Sequence, residues 1–376
     1  MSALQELTNI SSTVFNPAIK SWKEAGNKVA GYVCTYVPEE IIYAAGILPY
    51  RLRPAGCTET TEADVYLHHI NCSYVRSCLE YGLGGNFEFL DGLVFDNGCD
   101  HSRRLYDLWR ETVHYDRPFM LYFLQVPHKV TDESIAFFRD DIAKFKDDIE
   151  KHFGVEITES KLRNAIAVYN ETRSLLKRIY DLRQRERPPI SGAECLNVVV
   201  AGTATPKDEY NQLLKRLLEE IQQREGISNY RARLMIVGSL LDDPAYVNII
   251  EELGGLVVTD GLCFGSRCFW KPVESGDDLL LDLAKSYLEH PPCPRMVNTP
   301  SKRLDFVRDM VEMFEVDGII FEHIRYCDIW GGEYYFLGNK LKELGIPVLA
   351  LEKEYAIGST EQLRTRVEAF LETIGG

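Results

Sequence analysis

The chain has 376 residues, 45% of them hydrophobic, and a formal net charge of −15. That length is more than one core usually fills, so two lobes are expected. An acidic chain lacks the clustered Lys and Arg that neutralise phosphates, which argues against a nucleic-acid or anionic-membrane partner and leaves room only for a local basic site.

In chain order, residues 1–155 read as an α/β lobe. GYVCTY from Gly31 is a strand, Pro38 opens a helix with Glu39 and Glu40 in its first turn, and LDGLVF from Leu90 and PFMLYFL from Pro118 are buried strands. Between Asp132 and Phe153 the apolar residues recur at three- and four-residue steps until Gly154, which predicts an amphipathic helix with a glycine cap. Residues 156–228 read as a helical bridge: one helix runs from about Ser160 towards Pro188, and another from Tyr210 to Arg224. Periodicity leaves LNVVVAG from Leu196 open between strand and buried helix.

From residue 229 to 376 the strand–helix alternation restarts with RLMIVGS, VNIIEELGG, LVVTDG, DDLLLDLAKSYLEH and LDFVRDMVEMF. It continues through VDGIIFEHI, NKLKELG and IPVLALE to the closing helix TEQLRTRVEAFLETI. The expected fold is two Rossmann-like doubly wound lobes joined by a helical segment.

No basic and apolar leader precedes the first lobe, and the most apolar stretch, IIYAAGILPY from Ile41, is too short to span a bilayer, so a cytoplasmic location is expected. In that compartment the ten cysteines are buried hydrophobes or metal ligands, not a disulfide framework. An internal echo singles out two of them. Leu90-Asp91-Gly92-Leu93-Val94-Phe95 leads to Cys99-Asp100, and Val316-Asp317-Gly318-Ile319-Ile320-Phe321 leads to Cys327-Asp328. Ligands of open α/β sheets bind beyond the carboxyl ends of strands, so facing lobes would aim both sulfurs into one interdomain cleft. Cys72, just upstream in NCSYVRSC, supplies a third thiol. Three thiolates suit an iron–sulfur cluster with one open iron. Packing as small buried hydrophobes is the alternative, while zinc is disfavoured because the chain contains no C-x2-C pair.

Five strings in order extend this: VPEEIIYAAGILPYRL after Cys34, CSYVRSCLEYGL from Cys72, NGCD at Cys99, DGLCFGSR from Asp260 and RYCD at Cys327. Together they resemble the superfamily of 2-hydroxyacyl-CoA dehydratases and ATP-dependent benzoyl-CoA reductases, over nearly the whole chain. The resemblance implies a [4Fe-4S] cluster held by Cys72, Cys99 and Cys327, and a heterodimer with a related cluster-bearing subunit. It also implies a separate ATP-hydrolysing iron–sulfur activator that feeds single electrons, and an acyl-CoA or aromatic-CoA substrate. In dehydratases the electron makes a ketyl radical on the thioester; in benzoyl-CoA reductases it drives ring reduction.

Cys327-Asp328 is followed by IWGGEYY rather than the proline- and glutamate-rich turn of dehydratases, which favours the benzoyl-CoA reductase type of iron–sulfur subunit. A dehydratase subunit and a double-cubane-cluster reductase acting on small molecules are the alternatives. For the larger cluster, which needs more thiolates, Cys34, Cys78 and Cys263 are candidates with buried packing as the competing role; Cys57, Cys195 and Cys268 look incidental. His101, next to Cys99-Asp100, and His323, close to Cys327, are candidate proton donors. Arg267, inside the family-like GSR run, is the candidate for the coenzyme A phosphates. No phosphate-loop string occurs, which assigns ATP hydrolysis to a partner.

Overall fold

The structure, a computed structural model, describes residues 1–356, 358 and 360–375. Two short helices, α1 (Ala3–Ser11) and α2 (Pro17–Glu24), precede β1 (Val29–Tyr32), α3 (Glu39–Ala44) and β2 (Leu48–Arg51). The first lobe continues with α4 (Ser73–Leu83), β3 (Gly92–Asp96), α5 (Asp100–Thr112), β4 (Met120–Leu124) and α6 (Asp132–Phe153). Its four strands are parallel in the order β2-β1-β3-β4. Strand β2 was not expected from the sequence because Pro49 interrupts it. As an edge strand with β1 as its neighbour, it has no ladder on the other side for the missing N–H to break.

Helix α6 has the bounds that the periodicity predicts, and its ends explain why. Thr131 accepts a hydrogen bond from Ser134 N, Asp132 and Glu133 fill the first turn, Lys151 and His152 the last, and Gly154 turns the chain at φ 66°. The bridge comprises α7 (Glu159–Leu182), α8 (Gly192–Gly202) and α9 (Lys207–Gln222). The LNVVVAG segment is helical because a capping box starts it: Ser191 Oγ accepts from Glu194 N, and Glu194 Oε2 accepts from Ser191 N. Helix α1 is tied to this bridge, with Ser11 Oγ 2.6 Å from Asn197 Oδ1 and Ala3 N donating to Glu220 at 2.8 Å.

The second lobe runs through β5 (Ala232–Gly238), α10 (Pro244–Glu252), β6 (Gly255–Gly261), α11 (Leu279–Glu289), α12 (Pro300–Met313) and β7 (Gly318–Ile324). It ends with α13 (Asp328–Glu333), α14 (Asn339–Glu343), β8 (Val348–Lys353) and α15 (Thr360–Ile374). A π-helical turn, Tyr334–Gly338, joins α13 to α14. This sheet is also parallel, in the order β6-β5-β7-β8. Helix α11 packs into the first lobe, where Leu279, Leu283 and Leu288 share a core with Phe138, Ile142 and Phe145 of α6.

The sequence echo between the lobes is a shared strand-start device. Asp91 accepts from Val29 N at 2.9 Å and Asp317 from Arg233 N at 2.7 Å, so each carboxylate fixes the neighbouring strand at its first turn of pleat. The glycine after each is needed for close packing: a Cβ on Gly92 would lie 2.9 Å from Met120 Cβ, and one on Gly318 would lie 2.8 Å from the Phe370 ring.

Buried ion pairs hold the lobes and bridge together. Arg53 meets Asp242 at 2.7 Å, and Tyr355 donates to the same carboxylate at 2.9 Å. Arg173 meets Glu40 at 2.6 Å, which also accepts from Tyr287 at 2.6 Å. Among the described residues, no helix is long and apolar enough to cross a membrane.

Candidate functional site

In each sheet the strand order reverses at a central pair, β1/β3 and β5/β7, and the loops leaving such a pair open a crevice beyond the carboxyl edge. Cys99 follows β3 and Cys327 follows β7. Cys72 lies on the connection between β2 and β3 and faces the second lobe, where Lys353 and Glu354 act on its thiol.

Each of these three cysteines is the N-cap of a helix: Cys72 of α4, Cys99 of α5 and Cys327 of α13. A helix start leaves backbone N–H groups without intrahelical partners, and at Cys99 one of them turns to sulfur. Ser102 N donates to Cys99 Sγ at 3.4 Å. The amides of Tyr74 and Val75 favour the Cys72 thiolate, and that of Trp330 the Cys327 thiolate. Burial outweighs these amides. It pushes the Cys99 thiol up to about 12 and raises Cys72 and Cys327 as well, so deprotonation awaits a cation.

The three thiols lie within electrostatic reach of one another: a charge on Cys72 or Cys99 raises Cys327 further, and Cys72 raises Cys99. Among the described residues, no three His, Cys, Asp or Glu side chains close on one point as the ligands of a single ion would. A cubane spreads its irons over several ångströms, so its thiolates stand apart around it. Cys72, Cys99 and Cys327, each at a helix N-cap, are the groups that would hold an iron–sulfur cluster here.

His101 belongs to this group. Its Nδ1 accepts from Cys72 N at 3.2 Å, which leaves Nε2 to carry the proton of the neutral ring, and burial lowers its basicity while Asp328 opposes that. His323 lies instead on β7, with Nε2 3.5 Å from Glu352 and its ring beside Gly331 of α13. Tyr326, just before Cys327, adopts φ 64°, a left-handed conformation that is uncommon for a non-glycine residue.

A second set of thiols adjoins the first. Cys34 follows β1, Cys263 follows β6, and Cys293 lies in the loop after α11. Cys293 links the two sets because its charge raises both Cys327 and Cys34. Cys263 Sγ accepts from Arg51 Nη2 at 3.0 Å, and Arg267 lies beside Cys263 and Cys293. Arg267 is 3% exposed and donates to Pro291 O at 3.2 Å.

Of the sequence candidates for a larger set, Cys34 and Cys263 are here, whereas Cys78, on α4, is enclosed in the apolar core. Cys293 was missed as a ligand candidate, although its Pro-Pro-Cys-Pro setting marks a loop with a fixed backbone. The other cysteines have local partners: Cys57 donates to Glu59 O, Cys268 to Gly265 O, and Cys195 accepts from Arg183.

The chain matches the family described as 2-hydroxyglutaryl-CoA dehydratase, D-component, over residues 34–374. It is 28% identical over 366 residues to a benzoyl-CoA reductase subunit of Thauera aromatica, covering 95% of this chain and 94% of that one. It is 30% identical over 366 residues to the Escherichia coli (strain K12) protein YjiM, provisionally named a dehydratase subunit, with 94% and 93% covered. To the (R)-phenyllactyl-CoA dehydratase beta subunit of Clostridium sporogenes it is 25% identical over 359 residues, covering 95% and 94%. With the family match and these relatives both spanning nearly its full length, the chain belongs to the 2-hydroxyglutaryl-CoA dehydratase D-component family.

Proposed function

We propose that this chain is the cluster-bearing subunit of a low-potential reductase fed with single electrons by an ATP-hydrolysing iron–sulfur activator. Its cluster is the double-cubane type, held by Cys34, Cys72, Cys99, Cys263, Cys293 and Cys327. The relatives, subunits of an oxidoreductase and of a lyase, support an enzyme subunit of one of those two classes.

The observation that carries the reading is the second thiol set, reached from the first through Cys293. Three thiolates suffice for one cubane with an open iron; three more suit a second cubane beside it. When bound, such a group supplies electrons one at a time at low potential. The thiols of both lobes would hold it, and His101, fixed through Nδ1 by Cys72 N, would carry its proton on Nε2 at the opposite edge of the ring. His323, paired with Glu352, is a second proton carrier.

A single [4Fe-4S] cluster on Cys72, Cys99 and Cys327, in a benzoyl-CoA reductase-type subunit that works with a related subunit on a CoA thioester, is the second reading. The likeness to the Thauera aromatica benzoyl-CoA reductase subunit favours it. The readings separate when anaerobic protein is combined with activator, ATP and reductant, and electrons consumed are counted per product. Stoichiometric electrons with a small molecule that lacks a CoA handle, and no binding of benzoyl-CoA by calorimetry, support the first reading. Stoichiometric reduction of benzoyl-CoA rejects it for the second, and catalytic electrons with loss of water from a 2-hydroxyacyl-CoA reject both.

A further inference from the structure

Three guanidiniums are buried between the lobes, those of Arg51, Arg267 and Arg295, which are 2%, 3% and 4% exposed. Among the described residues none lies within ion-pair distance of a carboxylate, although other buried arginines do: Arg53 has Asp242, Arg173 has Glu40 and Arg303 has Glu333. A charge taken out of water without a partner is strongly disfavoured, so its neighbours should reveal what it awaits.

Those neighbours are sulfur and aromatic rings. Arg51 stacks at 3.6 Å over Phe264 and donates to Cys263 Sγ at 3.0 Å, and Cys34 also acts on it. Arg267 lies 5.6 Å from the Trp330 ring centroid, beside Cys263 and Cys293. Arg295 lies 4.5 Å from the Tyr36 ring centroid, donates to Val126 O and Pro127 O, and acts on Cys34. The Nε atoms of Arg51 and Arg295 have no partner among the described residues.

Asp96 faces this group, and Arg295 acts on it against the effect of burial. It is fully buried, and burial pushes it towards its neutral form. Arg183 is a different case: it too lacks an ion pair, but Asp260 and Glu251 act on it, and its sulfur neighbour is Cys195 in the helical core.

We infer that Arg51, Arg267 and Arg295 are the counter-charge of the thiolate-bound cluster, three fixed cations that hold an anionic group between the lobes and raise its midpoint potential. The inference rests on the cluster reading above. With iron bound, the thiolates and bridging sulfides supply the negative charge that the arginines lack; without it the arginines are uncompensated. Removing one positive charge destabilises the more negative, reduced cluster, and it also relieves the iron-free chain.

The test uses wild type, Arg267→Met, Arg267→Lys and Arg51→Met, all purified without oxygen. Iron and sulfide are assayed, a dye-mediated redox titration is followed by electron paramagnetic resonance, and the thermal midpoint is measured after chelator stripping. Arg267→Met should change the reduced-to-oxidised ratio at fixed potential about tenfold, a fall of about 59 mV for one electron. Arg267→Lys should stay near wild type, and stripped Arg267→Met should melt above stripped wild type.

If Arg267→Met loses iron while Arg267→Lys keeps it, the counter-charge role is supported, and Arg51→Met carries the potential measurement. Full iron with unchanged potentials in both Met variants overturns the counter-charge and leaves the cluster standing. Equal shifts in Arg267→Lys and Arg267→Met would make the role steric and overturn it too. A wild type without iron removes the cluster reading and the counter-charge together.

Discussion

Replacing Asp242 with Asn should test how the lobes are held closed over the thiols. Asp242 accepts from Arg53 Nε at 2.7 Å, and both side chains are nearly sealed from water, with Arg53 at 6% and Asp242 at 4% exposure. Arg53 also donates to Ser11 O at 3.0 Å and Asp242 O at 3.1 Å, so the substitution leaves a hydrogen-bonded but uncompensated cation. Breaking a buried pair from one side costs about 3–5 kcal/mol, against about 0–1 kcal/mol for an exposed pair. Urea unfolding of variants matched for iron content measures the difference, and the double variant Arg53→Met/Asp242→Leu removes both charges together. The double variant should recover much of the loss, because the stranded charge is gone. A single-variant cost below about 1 kcal/mol would mean that the pair is hydrated and does not clamp the lobes.

Glu322 on β7 is fully buried, with Lys353 at 3.9 Å and Ser239 as partner, and burial raises it from an ordinary 4.5 to about 7. A raised acid stabilises the fold below its unfolded pKa and loses that contribution as pH rises through the folded value. Stability should therefore fall between about pH 4.5 and 7, and Glu322→Gln should flatten that slope and gain about 3 kcal/mol at pH 8 in pH-dependent unfolding. Gly92→Ala would place a Cβ 2.9 Å from Met120 Cβ and 3.1 Å from Met120 O, and should cost about 1–3 kcal/mol. Gly332→Ala, with nothing within 4 Å, should be neutral or gain about 0.5–1 kcal/mol from helix propensity; calorimetry distinguishes the two glycines. Cys99→Ala, Cys327→Ala and Cys293→Ala should each lower bound iron, whereas Cys195→Ala and Cys78→Ala should not. Equal iron across all five variants would reject the ligand assignment.

The strands that lead to Cys34, Cys99 and Cys327, and helix α6, were legible because their signals are local. Asp91-Gly92 and Asp317-Gly318 start strands by a side-chain-to-backbone bond and a close approach, and the Thr131 and Gly154 caps bound α6. The Cys99 and Cys327 positions followed from the rule that sites lie beyond strand ends. Three features were not legible for physical reasons. Strand β2 contains Pro49, and only the sheet order reveals that it is an edge. Helix α8 gives little period to read, because apolar residues cover all of it but the Glu194–Asn197 edge, packed between α1, α9 and the second lobe. The meeting of Cys34, Cys263 and Cys293, and the three arginines among them, depends on how two lobes close, and residues 34 and 293 are brought together by no local pattern.

The central claim is that six thiolates from both lobes hold one enlarged iron–sulfur group. Iron and acid-labile sulfide per chain, measured on protein purified without oxygen, test it most directly. A single cubane gives about four irons, and the account predicts about twice that, falling when Cys293 is replaced by Ala. About four irons, unchanged in Cys293→Ala, would confine the cluster to Cys72, Cys99 and Cys327 and contradict it.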